Sequence, residues 1–490
     1  MEDKKLQKKN LIMYPLGTVG RDMTYVLVTN FLLTYILFTR NLTAAQLSAV
    51  TAIMVFARVF DALNDPVMGN IIERTRTRWG KFKPWLCAGV LSTSVVVYLM
   101  FSTRLQGWDF IIFFAVIYLM FSITYTMSDI SYWGMVPALS SDADARNQFT
   151  SRATLFAGIG NTLATILIPV LTTGAMALGG STSVAYGWIA LIIGIVAPIF
   201  MLFTLFGVRE HRETSDKKVP PVSFKKIFST ITGNDQLMWM ALIFLIQQIG
   251  NGLVLGGIGS TYIYFDFGYN GGLYSIFTTI GMAATAFLMI FYPAISRRVH
   301  RKKLMSVMMV ISAVGYVLML IPGLTMSAST AKFVFLVIGY MLGNFGQYCY
   351  YLIMMISIIN TVEYNEYKFG SRDEGIITSL RPFLTKLASA LTVIATSAVY
   401  LICNVTSYTN QISDLENAAA RNAITEAEKL ESINAIIAQT GSGQTIGLLI
   451  CMTVLPAILM FLSYLLYRKH YRLDEEEYDR ICRELQRKNS

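Results

Sequence analysis

Asp61 and Asp65 stand four residues apart in a long apolar run, with Arg58 one turn earlier and Asn64 and Pro66 beside them. At helical spacing the two acids share one face, and Arg58 lies on the same side. Such a face can offer hard oxygen ligands to a small cation. It can also share a proton, because like charges resist joint ionisation. Asn64 adds an amide oxygen. Pro66 removes a backbone donor, loosens the helix and frees a carbonyl. A plain Arg58–Asp61 lock between helices is the structural alternative, but a lock needs one acid, not two.

Asp129 sits in Tyr125-Thr126-Met127-Ser128-Asp129-Ile130-Ser131-Tyr132-Trp133. Trp133 is four residues after Asp129 and Tyr125 four before it, so carboxylate and rings share a face. An acid beside an aromatic plate suits a sugar: the carboxylate accepts hydroxyl hydrogen bonds and the ring covers the apolar C–H face. Trp133 alone also reads as an interfacial anchor. Asp129 also reads as a partner for Arg21 or Arg152. Other charges inside apolar runs are Arg21, Asp22, Arg381 and Lys386, with Arg152 at the start of one.

The elements that must hold these residues follow from composition. Of 490 residues, 54% are apolar and 14% charged, with a mean hydropathy of +0.51. Soluble domains carry about a quarter charged residues. A soluble enzyme and a disordered chain are excluded. So is an outer-membrane barrel, because the apolar residues run continuously rather than alternating. An all-α membrane protein remains. Apolar runs long enough to cross about 30 Å of hydrocarbon fall at 12–39, 47–72, 84–103, 109–138, 150–175, 187–208, 237–267, 273–295, 303–322, 331–361, 375–402 and 443–467. An ionisable group at mid-membrane costs on the order of 3 kcal/mol, so those named above are expected to line a cavity or pathway.

With a cytoplasmic N-terminus, 31 of the 40 basic residues fall on the cytoplasmic side and five on the outer side (Arg40, Arg104, Lys332, Arg421 and Lys429). That split sets the orientation, with both termini inside. Lys4, Lys5, Lys8 and Lys9 precede a retained first helix rather than a cleaved signal. The sequons at Asn41 and Asn404 read as chance matches. Residues 209–236, with Pro220-Pro221 at the centre, form the longest inner loop and divide six spans from six. The basic loops Arg74–Lys83 and Arg297–Lys303 recur about 223 residues apart, which suggests related halves. The expected domains are a six-helix bundle over 1–208, the loop 209–236, a second bundle over 237–469 and a tail over 470–490. The outer loop 403–442 has helical composition from Asp414 to Gln439 and reads as a surface helix or lid. The tail reads as a solvated helix. Cys87, Cys349, Cys403, Cys451 and Cys482 show no CxxC spacing, so no metal cluster or disulfide framework is indicated. His211, His300 and His470 lie on cytoplasmic segments and read as solvated.

Asp61-Ala62-Leu63-Asn64-Asp65-Pro66-Val67-Met68-Gly69, running on to Arg78-Trp79-Gly80-Lys81-Phe82-Lys83-Pro84-Trp85, resembles the signature of glycoside–pentoside–hexuronide:cation symporters of the major facilitator superfamily. Gly20-Arg21-Asp22, Tyr125-Thr126 with Asp129 and Trp133, and Glu363-Tyr364-Asn365-Glu366-Tyr367-Lys368 match in order, over nearly the whole chain. The resemblance implies twelve transmembrane helices in two six-helix bundles. It implies symport of a sugar or glycoside with Na+, H+ or Li+ by alternating access. Asp22 and Asp129 would hold sugar hydroxyls with Arg21, Tyr125 and Arg152 nearby, Trp133 stacking and Tyr351 offering a further ring. Asp61 and Asp65 would bind the cation, with Asn64 and Thr126. Arg58 and Lys386 would balance charge. The chain departs from the melibiose-permease pattern at Arg21, where that permease has lysine, and at Pro382, where it has a polar residue.

The resemblance further implies a bacterial inner-membrane monomer with no cofactor and no nucleic-acid partner, whose partners are sugar, cation and lipid bilayer. Three rivals stand beside it. A carrier of a lipid-like solute would want a less polar cavity than Asp22, Asp129 and Arg152 give. An intramembrane prenyltransferase-type enzyme would want a second acidic cluster, and the other half offers only Asp266, Glu363 and Glu366, near span ends. A sugar sensor would bind without transporting.

Overall fold

The computed structural model describes residues 2–140, 142–209, 224–296 and 298–489. Pro220-Pro221, His211 and Arg297 lie outside the described residues. Within the described residues the regular structure is helical, in chain order α1 Glu2–Asn30, α2 Leu32–Thr39, α3 Ala44–Arg74, α4 Lys83–Ser102, α5 Gly107–Gly134, α6 Val136–Leu139, α7 Ala143–Thr172, α8 Thr182–Gly207, α9 Phe224–Gly233, α10 Asp235–Leu253, α11 Gly259–Phe267, α12 Gly271–Ser296, α13 Arg301–Thr325, α14 Thr330–Phe369, α15 Glu374–Ile402, α16 Val405–Ala420, α17 Glu426–Ala438, α18 Ser442–His470 and α19 Glu475–Asn489. Each of the twelve apolar runs coincides with one of these helices or with an adjoining pair. Ten described segments are long and apolar enough to cross a membrane, and α1 with α2, bent by 50°, makes an eleventh. The protein is a multi-pass membrane protein.

Two runs are broken. α1 and α2 part at Phe31. α10 and α11 are joined by a wide turn over Val254–Ile258, where Gly257 takes φ 117°, a value that L side chains rarely adopt. Starts are marked by side-chain caps. Thr43 and Gln46 form a capping box at α3, and Asp142, Ser181, Asn234 and Ser329 cap α7, α8, α10 and α14.

The contacts divide the chain into two compact units. The first holds Met1–Val219, Ile263–Ser275 and Tyr400–Gly441; the second holds Pro220–Tyr262, Ile276–Val399 and Ser442–Ser490. In the first unit, α1 packs on α7 and α8, and α5 packs on α3 and α4. Two glycines permit the closest approach. Gly20 faces the backbone of Ala197 and Gly160 faces the backbone of Val19, so a methyl at either would meet main chain. α1 is therefore seated tightly where Arg21 and Asp22 follow. In the second unit, α13 packs on α14 and α18, and α10 on α18 and α14.

The 403–442 loop is two helices rather than one. α17 begins at its own capping box, Thr425 with Glu428, after a turn in which Asn422 has φ 56°. The tail helix is only partly solvated. Leu473 and Ile481 are buried, and Glu475 and Asp474 pair with Arg301 and Lys302 at the start of α13.

Candidate functional site

α3 and α5 meet in register. Ser122 donates a short hydrogen bond to the carboxylate of Asp61, and Thr126 donates to Asp65 at 3.3 Å. Both pairs are 61 residues apart. A constant offset over successive turns is what two parallel helices give. The i, i+4 acids of α3 thus face an i, i+4 pair of hydroxyls on α5. Arg58 Nη1 stands 3.8 Å from the second oxygen of Asp61. Asn64 presents a buried amide nitrogen that has no hydrogen-bond partner among the described residues. Two carboxylates and two hydroxyls form a hard-oxygen set on two adjoining helices, and Asn64 stands next to Asp65 in the chain. Among the described residues no group of three or more His, Cys, Asp or Glu side chains has metal-site geometry.

The second cluster is built around Arg21. Its side chain is 5% exposed, with Nη2 2.9 Å from Asp22 and Nη1 3.1 Å from Asp129. The Nη1 contact is close but not aligned as a hydrogen bond, so this nitrogen keeps donor capacity. The guanidinium lies 4.9 Å from the ring centre of Tyr132 and 5.2 Å from that of Trp133. Tyr132 is fixed from below: its hydroxyl donates to the carbonyl of Tyr14, the Tyr14 hydroxyl donates back to the carbonyl of Tyr132, both at 2.7 Å, and the rings stack at 4.4 Å. This reciprocal bond ties α1 to α5 and holds Arg21 over the rings. The Asp129 side chain remains 40% exposed, so a ligand hydroxyl can reach it. Tyr125 stacks on Tyr25 across the same two helices, at 5.5 Å.

One stripe of α5 serves both clusters. Ser122, Thr126, Asp129 and Trp133 step by four, three and four residues, which keeps them on one face. Thr126 and Asp129 are three residues apart, about 4.5 Å along the axis. Across α1, α3 and α5, four carboxylates (Asp22, Asp61, Asp65 and Asp129) face two guanidiniums, Arg21 and Arg58. Ionised, the region carries two excess negative charges.

Other expected residues lie elsewhere. Arg152 is exposed on α7, and its Nη1 donates to the carbonyl of Leu11 at 3.3 Å. Tyr351 and Lys386 belong to the second unit, on α14 and α15. There Tyr351 accepts a hydrogen bond from Arg381 at 3.1 Å and lies beside Phe244 and Tyr348. The reading by spacing passed over Ser122, Tyr132 and Tyr25. The signal for Ser122 is its place one turn before Thr126, matching the spacing of Asp61 and Asp65.

A model of the family described as MFS/sugar transport protein matches residues 13–475. A lactose permease of Leuconostoc lactis is 29% identical over 404 residues, covering 78% of this chain and 60% of that protein. A raffinose carrier protein of Pediococcus pentosaceus is 27% identical over 494 residues, covering 97% of this chain and 71% of that protein. The chain spans about three-fifths of the length of two of the lactose permeases it matches. Among solved structures, a bacterial homologue of the human lysosomal transporter Spinster superposes with a TM-score of 0.60 at 14% identity, over 96% of this chain and 98% of that one. That likeness concerns the fold alone.

Proposed function

The chain belongs to the MFS/sugar transport protein family, and from this premise we propose that it is a secondary active carrier, not an enzyme, that moves a sugar or glycoside together with a small cation. The observation that carries the reading is the single face of α5 that supplies Ser122 and Thr126 to the helix-three acids and Asp129 and Trp133 to the Arg21 cluster. The cation sits on Asp61 and Asp65, with Asn64, Ser122 and Thr126 as neutral oxygens. Its charge offsets part of the carboxylate excess. The hydroxyls donate hydrogen bonds to the acids until the ion takes their place; they then turn their lone pairs to it. The sugar's hydroxyls donate to Asp22 and Asp129. Arg21, through its underused Nη1, is the donor to a sugar oxygen. Arg152, bonded to the carbonyl of Leu11, has a weaker claim to that role. Trp133 and Tyr125 provide the apolar plates.

Coupling follows from the shared helix. Binding the cation repositions Thr126, and Asp129 lies one turn further on. Linkage then requires the sugar to tighten the cation site by the same factor. Arg58, and Lys386 on α15, supply the positive charge that lets the unloaded carrier return. Tyr351 is a further candidate for a ring against the sugar. The relatives named as a lactose permease and a raffinose carrier favour a neutral glycoside, as do the surplus acids. The oxygen set favours Na+, and a proton shared by Asp61 and Asp65 is the second reading. The basic-residue split favours cytoplasmic termini, and we place the chain as a monomer in a bacterial cytoplasmic membrane.

The test is charge movement in proteoliposomes on a solid-supported membrane, with lactose, raffinose, melibiose and glucuronate, each with Na+ and then without it at two pH values. A current for one neutral glycoside that requires Na+ and is lost in Asp65→Asn supports the whole reading. A current set by pH alone moves the ion to a proton. A current for glucuronate only would overturn the neutral sugar.

A further inference from the structure

In the second unit, α13 and α18 leave a recess with two chemically different parts. Near the start of α13 and the end of α18 is a cavity of about 250 Å³ lined by Lys302, Lys303, Ser306, Tyr464, Tyr467 and Arg468. Further along the same two helices runs a groove of about 390 Å³, bordered by Met309, Ala313 and Val317 on one side and Val454, Ala457 and Phe461 on the other. The two parts follow one another along the same pair of helices. Among the lining positions of α13, 302, 306, 309, 313, 317 and 320 step by three or four, with Lys303 beside the first, and among those of α18 so do 468, 464, 461, 457 and 454. Both sets therefore form single stripes that face one seam.

The polar end is cationic. Lys302 is paired with Asp474 at 3.0 Å, which leaves the charges of Lys303 and Arg468. Both are exposed. Arg468 donates to the Tyr464 hydroxyl at 3.4 Å, and that hydroxyl meets Ser306 Oγ at 2.7 Å. Neither basic residue has an acidic partner within 4 Å among the described residues. Two cations and two hydroxyls around a small recess match a phosphate diester. The apolar end has a matching length. Met309 to Leu320 is twelve residues of helix, about 16 Å from first to last, which is half of the roughly 30 Å hydrocarbon core. Val317, Ile458 and Phe461 along it are half-exposed or more, so the groove opens toward the bilayer.

We propose that this seam is a binding site for a phospholipid with an anionic headgroup, its phosphate held between Lys303 and Arg468 and one acyl chain lying in the groove. A soluble anion would use the cationic end but not the groove. A neutral lipid would use the groove but leave the two charges unanswered. Basic recesses between membrane helices at a membrane face recruit anionic lipid in this way, each cation near the surface contributing about 1 kcal/mol.

The test is native mass spectrometry of the full chain, delipidated and titrated with phosphatidylglycerol, phosphatidylcholine or free glycerol phosphate. The expected result is one retained phosphatidylglycerol, with weaker retention of phosphatidylcholine and none of glycerol phosphate. The double variant Lys303→Gln/Arg468→Gln weakens phosphatidylglycerol about tenfold or more and leaves phosphatidylcholine unchanged. Ala313→Trp, which fills the groove at an exposed position without changing charge, weakens both lipids. Phosphatidylglycerol retention that is unchanged in the double variant overturns the proposal. So does glycerol phosphate binding as tightly as the lipid, which would make the cavity a soluble-anion site. The exposed positions of all three substitutions leave the fold intact, checked by the same melting temperature as the parent chain.

Discussion

Glu416 and Lys429 form an ion pair at 3.5 Å with both side chains fully shielded from solvent. The acid also accepts from the backbone N–H of Thr182 at 2.7 Å and from its hydroxyl at 3.0 Å. That hydroxyl meets the Tyr269 hydroxyl at 2.9 Å, and Lys429 donates to the carbonyl of Gly180 at 2.7 Å. The network fastens α16 and α17 to the start of α8 within the first unit. Further along, Asn410 and Leu42 exchange two hydrogen bonds at 2.9 Å, and Asn417 donates to the carbonyl of Thr39 at 3.0 Å. The hairpin is thus an integral cap on α2 and α8.

A buried pair broken on one side costs more than it contributed. Lys429→Met leaves an ionised Glu416 without its cation, so a loss of about 3–5 kcal/mol is expected. Burial holds the Glu416 carboxyl above its usual range, and Lys429 opposes that rise. An acid whose folded value is raised contributes stability that is present at low pH and lost as pH rises through that value. The deficit of Lys429→Met is therefore smaller at pH 5 than at pH 8. Melting temperatures of both proteins in detergent at the two pH values check this. An equal deficit at both would mean that Glu416 stays ionised in the variant.

The tail gives the opposite pH sign. Burial alone would raise Asp474 and Glu475, but Lys302 pulls Asp474 below its ordinary value and the backbone N–H and guanidinium of Arg301 pull Glu475 down. Depressed acids contribute stability that is present above their unfolded values and lost as pH falls through the folded ones. α19 is expected to detach first on acidification below the ordinary carboxylate range. Hydrogen exchange of residues 475–489 should rise there before that of α13.

Arg21 divides its charge between two acids. Asp129 is the more exposed of the two and the less well aligned with the guanidinium, so it is the acid with capacity for a ligand. Hydrogen bonds to charged groups contribute about 1.5–3 kcal/mol. Asp129→Asn is accordingly expected to weaken sugar binding roughly tenfold to a hundredfold while the protein still binds the cation. Arg21→Lys replaces a fork with a point charge that cannot span both acids. It should weaken sugar binding as well. Calorimetric titration with the transported sugar at saturating cation measures both.

Much of this was legible in the sequence, and the omissions have physical causes. Apolar length marks a membrane helix by itself, so all twelve runs were visible. Asp61, Asp65 and Asp129 were visible because a charge in such a run is costly. Ser122 was not, because a hydroxyl in a helix commonly bonds its own backbone and carries no signal until its partner helix is known. The cap was missed for a similar reason. Glu416 finds Thr182 across 234 residues, and nothing in either segment's composition encodes that meeting. Arg40, Lys332 and Lys429 fall on the outer side by the count of basic residues, and all three are buried. Arg40 donates to Tyr35, Thr39 and Thr103 and lies over the Phe110 ring, so carbonyls and rings take the place of water.

The α3–α5 register yields the sharpest functional expectation. Ser122 and Thr126 touch Asp61 and Asp65 and are not in contact with Asp22, so their loss acts on the cation first. Ser122→Ala and Thr126→Ala each remove one neutral oxygen, and each should raise the half-saturating cation concentration about tenfold. Sugar affinity at saturating cation should hold for Ser122→Ala. For Thr126→Ala, whose neighbour on the stripe is Asp129, the mutual tightening of sugar and cation should shrink. Because linkage is reciprocal, the factor by which cation improves sugar binding must equal the factor by which sugar improves cation binding, in every variant. Measuring both factors therefore checks the data against themselves. A Thr126→Ala protein with weakened cation binding but an undiminished factor would place the coupling path elsewhere than α5.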